Sequence, residues 1–76
     1  MVEVTDVYGV TRNYSSGNAA RDAQKSADRD RALLEAAQTG DYSGLIGPIK
    51  DRDDRERAGE IKFAAEQILK KTNALR

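Results

Sequence analysis

The plainest pattern lies in the last third of the chain. Ala58, Ile61, Ala65, Ile68, Thr72 and Leu75 recur at alternating spacings of three and four, and Phe63, Ala64 and Leu69 widen the stripe. That period belongs to an amphipathic helix, expected over residues 51–74. Ile61, Phe63, Ala65, Ile68 and Leu69 are its expected core or its self-association face. Carried backwards, the register lands on Asp51 and Asp54, so the first two turns lack an apolar side. A helix over 51–75 is about 37 Å long at 1.5 Å per residue. A compact globule of this chain length is only about 29 Å across.

A weaker stripe runs through Ala20, Ala23, Ala27, Asp30, Leu34 and Ala37, flanked by Leu33. It predicts a first helix over 19–38, capped by Asn18 and closed by Gly40. Only its last two turns carry bulk; the first half is an alanine seam that stabilises little by burial.

Residues 2–14 alternate instead. Val2, Val4, Tyr8, Val10 and Tyr14 share one parity, and the alternation is interrupted at Asp6 and Gly9. Alternation with β-branched and aromatic residues signals extended chain. No other segment reads as a strand, so two forms are open: a short hairpin bending near Tyr8-Gly9, or one extended arm docked on another subunit. The absence of a second strand elsewhere favours the arm. The expected organisation is an extended N-terminal arm at 1–16 and a helical hairpin at 17–76, with a linker at 39–50.

That linker, at twelve residues, exceeds the roughly 2–8 usual between packed helices. It carries Tyr42, Leu45, Ile46 and Ile49, too apolar a set to hang in water, and packing across the end of the hairpin is the expected role. Its neighbour "LLEAAQTGDYSGL" (Leu33–Leu45) resembles the opening helix of an ankyrin-type repeat. The likeness stops at a leucine helix closing on Thr-Gly-Asp. The family's Thr-Pro-Leu-His turn is missing and no repeat follows.

Composition narrows the chemistry. Seventy-six residues with no Cys and no His exclude disulfides, Cys or His nucleophile–base pairs and the commonest zinc ligands. Ser26 beside Lys25 has no predicted pocket to activate it. Thirteen basic and thirteen acidic residues cancel, so nucleic acid is not an expected partner, since phosphate binding rests on a basic excess. The run "KDRDDRER" (Lys50–Arg57) mixes both signs. Its acids miss the spacing of a calcium loop and read as a solvated helix start, with Asp51–Arg55 and Asp53–Arg57 as expected i, i+4 pairs. "GDYSGLIG" lacks the Gly-Lys-Ser/Thr ending of a phosphate loop. No metal and no cofactor are expected. No apolar run approaches the ~20 residues of a membrane span. The first residues have neither the basic start nor the apolar run of a secretory signal. A cytoplasmic, soluble protein is expected.

The fold class expected is mainly α: a two-helix antiparallel hairpin with an extended or β-like N-terminal arm, completed by oligomerisation. The function expected is a small non-enzymatic protein–protein interaction module, of the inhibitor or adaptor type that phages and mobile elements encode, which self-associates. Partner contacts are expected at Val7, Tyr8, Val10, Tyr14, Tyr42, Leu45, Ile46 and Ile49. An alternative is an oligomer holding a small anionic ligand, such as a nucleotide, between subunits through Arg12, Tyr14 and Tyr42. A further alternative is a minor structural component of a larger assembly.

Overall fold

The computed structural model describes residues 1–76. Along the chain come strand β1 (Val2–Thr5), strand β2 (Thr11–Tyr14), helix α1 (Gly17–Thr39) and helix α2 (Arg52–Ala74). The fold is mainly helical with a β-like N-terminal segment, as the residue pattern predicts.

That segment is a hairpin, not a single extended arm. β1 and β2 pair antiparallel, with Val2 opposite Tyr14, Glu3 opposite Asn13, Val4 opposite Arg12 and Thr5 opposite Thr11. The cause is local, in Asp6-Val7-Tyr8-Gly9. The Gly9 N–H donates to the Asp6 carbonyl at 3.1 Å, and the Asp6 N–H to the Val10 carbonyl at 2.9 Å. Gly9 takes φ 85°, the left-handed conformation that glycine adopts without a Cβ penalty. A turn closed this way, with glycine at its last position, is a favoured three-residue hairpin loop. Asp6 Oδ1 reinforces it by accepting from the Tyr8 N–H at 2.9 Å and the Val10 N–H at 3.0 Å.

The hairpin's outer face is polar: Glu3, Thr5, Thr11 and Asn13, with the Thr5 and Thr11 hydroxyls 2.8 Å apart. From its inner face Val4 packs on Ala20 and Ala27, with Tyr14 and Ala23 beside them. The alanine seam of α1 is therefore covered from within the chain. Small side chains permit this close approach, and Val4 supplies the bulk that the seam lacks.

α1 begins earlier than expected. Ser16, extended at φ −118° and ψ 141°, is the N-cap and accepts from the Ala19 N–H at 3.1 Å. Asn18, the expected cap, is already helical, which carries Ala20 under Val4. The helix closes as predicted at Gly40, at φ 78°, whose N–H donates to the Ala36 carbonyl at 2.8 Å.

α2 opens on Asp51, which accepts from the Asp54 N–H at 2.9 Å. Asp54 Oδ2 accepts in turn from the Lys50 N–H at 3.1 Å. The two carboxylates satisfy backbone donors reciprocally, a variant of the capping box. With Asp51 so engaged, the expected Asp51–Arg55 pair does not form, nor does Asp53–Arg57. The ion pair present in this turn is Arg52–Glu56 at 3.4 Å, too exposed to stabilise much.

The two helices meet through Leu33, Ala65 and Ile68, with Leu34, Ala37, Ile61 and Ala64 around them. Thr72 stands buried in the stripe because its hydroxyl is satisfied locally, donating to the carbonyls of Ile68 (3.0 Å) and Leu69 (2.9 Å). α1 is the spine: it contacts both strands and α2, while α2 contacts neither strand. Side-by-side placement stretches the body to 44 × 30 × 15 Å, with a radius of gyration of 14.4 Å. About 11.4 Å is usual for this chain length.

Candidate interaction surfaces

The expected partner residues fall into two groups. Val7 and Tyr8, at the hairpin tip, are half-buried and lean on the Leu33–Ala65–Ile68 cluster. Lys71 Nζ stands 4.4 Å from the centroid of the Tyr8 ring, a cation–π contact that holds the tip to α2. Burial pushes the Tyr8 phenol above its ordinary value of 10.0, and the charges of Asp30 and then Asp6 add to the rise. Both residues are committed within the chain. Val10 instead keeps 47% of its surface exposed.

Tyr42 and Leu45 also lean on the interhelical cluster, and Ile46 is half-buried. The linker thus packs on its own hairpin, as its apolar content predicts. It does so through one helical turn, in which the Leu45 and Ile46 N–H groups donate to the Tyr42 carbonyl at 2.9 and 2.8 Å. Asp41 opens this turn by accepting from the Ser43 N–H at 3.0 Å. That bond holds its carboxyl below the ordinary 3.8. Lys62 Nζ lies 5.8 Å from the Tyr42 ring centroid. Ile49 is the exception, at 54% exposure.

On α2, Ala65 and Ile68 are core, and Ile61 and Leu69 are half-buried. Phe63 is not core: 65% of it is exposed. At about 100° per residue it projects roughly 140–200° round the helix from Ile68 and Ala65, among charged neighbours. Leu75, counted in the helix stripe, lies just past its end and is 63% exposed.

Arg12 and Tyr14 of the alternative ligand set do share a groove, of about 220 Å³, between β2 and α1. Tyr42 is not part of it; the three residues are not brought together. Facing β2 across the groove are Ala23, Ser26 and Asp30 of α1. Arg12 is exposed and has no acidic side chain within ion-pairing distance; Asp30 is half-buried and likewise unpaired. Asp30 was visible in the residue pattern as a carboxylate standing in an apolar stripe, but without the hairpin its neighbourhood could not be assigned.

Two broader facts bound these surfaces. No cluster of three or more acidic side chains is arranged to hold a metal ion. No helix is long and apolar enough to cross a membrane. No protein-family model, curated protein or solved structure matches the chain.

Proposed function

We propose that the chain is a small non-enzymatic interaction module whose first partner is a second copy of itself. One observation carries this reading. The single chain exposes 5762 Å², whereas a folded monomer of 8.4 kDa exposes about 4,600 Å² by the usual size scaling. The excess, roughly 1,100 Å², matches the ~800 Å² or more that each partner hides in a stable complex. The shape agrees. A thin dimension of 15 Å holds at most two packed elements at 8–10 Å separation, so both broad faces remain open.

Within this reading the inhibitor or adaptor role concerns what the assembled form presents, and Phe63, Ile49 and Leu75 are among the exposed large apolar side chains available to a further protein. An anionic-ligand pocket has less support, because Tyr42 stands apart from Arg12 and Tyr14. Light scattering of the full chain, from about 5 to about 500 μM, tests the proposal. A mass rising above that of one chain is expected. A single-chain mass throughout would retire it.

A further inference from the structure

Phe63 is the one large apolar side chain on the face of α2 turned away from α1, and 65% of it is exposed. Seven residues to either side of it stand Glu56 and Lys70. Seven residues are close to two turns, so the three side chains lie within about 20° of one line along the helix. Glu56 is exposed and paired only with Arg52 of its own helix, at 3.4 Å. Lys70 is exposed and has no acidic side chain within ion-pairing distance. The stripe runs acid, aromatic, base, with its charges balanced about Phe63.

We infer that α2 packs antiparallel on α2 of a second copy with the twofold axis at Phe63, so that four helices lie in one layer in the order α1, α2, α2, α1. This rests on the self-association proposed above and names its site. The axis sets Phe63 against the partner's Phe63, an aromatic pair removed from water. Glu56 then faces the partner's Lys70, and the twofold repeats that pair, so the patch is self-complementary as such a contact requires. Glu60 and Glu66 lie about 60° to opposite sides of the stripe and do not meet across the axis. Other alignments are worse. A parallel pair sets Glu56 on Glu56 and Lys70 on Lys70. An antiparallel pair slipped by one turn, with the axis at Ile61, sets Glu56 on Glu66 and Arg52 on Lys70. Like charges so placed are destabilising. The opposite slip, with the axis at Ala65, lays Phe63 on Gln67 and loses the aromatic pair. Phe63 is thereby covered by the second copy, and Ile49 and Leu75 remain open to a further protein.

The test uses the full-length chain and the dimer dissociation constant from sedimentation equilibrium. Glu56→Lys and Lys70→Glu should each weaken association at least tenfold, since each sets like charges across the axis twice, while the helical circular dichroism stays unchanged. An equimolar mixture of the two variants should associate to within about threefold of the parent, because every pair across the axis again joins opposite charges. A role confined to one chain gains nothing from mixing. Phe63→Ser should also weaken association at least tenfold. The chain has no cysteine, so Phe63→Cys should form a single interchain disulfide under mild oxidation, and Lys25→Cys, on α1, should not. A chain that dimerises but shows neither rescue on mixing nor the Phe63→Cys cross-link overturns this interface and leaves self-association standing. A chain monomeric at several hundred micromolar overturns both.

Discussion

Two glycines put the residue scale to work in opposite directions. Gly59 lies inside α2 with helical backbone, and a Cβ added there meets nothing within 4 Å. Glycine in a helix interior costs about 0.5–1 kcal/mol relative to alanine. Gly59→Ala should therefore raise the thermal midpoint by about 3–6 °C, given 4–8 °C per kcal/mol in a domain of this size. Gly9 is equally unobstructed but sits at φ 85°, so Gly9→Ala should lower stability by about 1 kcal/mol. Parallel thermal melts check both, and a loss at Gly59 would mean that something packs there. Tyr8 supplies a pH effect. Its folded pKa is raised above 10.0 by burial and by Asp30 and Asp6. The folded state holds that proton longer than the unfolded state does. The associated stability is intact below pH 10 and is lost as pH rises through the folded pKa. The ultraviolet titration difference between the parent and Tyr8→Phe should have its midpoint above 10.0. A midpoint at or below that value contradicts the packing described for the hairpin tip.

At the scale of elements, α2 was the most legible part of the chain and the N-terminus the least. A period near 3.6 over more than twenty residues leaves one solution, and the helix spans Arg52–Ala74 where 51–74 was expected. The hairpin was misjudged because each strand has only four residues, too few for alternation to separate one arm from two strands. The signal that decides it is Asp6 three residues before Gly9, a turn chemistry and not a hydrophobic period. The groove of Arg12, Ser26 and Asp30 was hidden for the same reason: nothing in the spacing brings β2 over α1. Phe63, expected as core or self-association face, lies outside the core of the single chain, because hydrophobicity alone widens the stripe past the edge that packs on α1. These differences predict unequal costs. Ile68, 8% exposed between the helices, should lose about 2–4 kcal/mol on conversion to alanine, whereas Phe63→Ser should change the stability of an isolated chain by less than about 0.5 kcal/mol. Urea unfolding at low micromolar concentration measures both. Equal losses would mean that Phe63 is covered.

For the whole molecule the question is how so thin a body stays folded. Nine residues are buried, and five of them are alanines: Ala20, Ala27, Ala36, Ala58 and Ala65. Val4, Leu33 and Ile68 are the only larger apolar side chains among them. At about 0.8 kcal/mol per buried methylene, such a core gives little against a backbone ordering cost of about 1–2 kcal/mol per residue. Surface hidden between copies, as proposed above, is one source of margin open to a small chain without disulfides. If folding and association are coupled, the midpoint must move with protein concentration, since mass action favours the assembled state. For a dimer of chains this size, a hundredfold increase should raise it by about 10 °C, taking an unfolding enthalpy near 0.7 kcal/mol per residue. A parent midpoint that stays constant over the same range would mean that Leu33, Ile68 and Val4 suffice alone, and that the open faces of the slab serve partners without contributing to its stability.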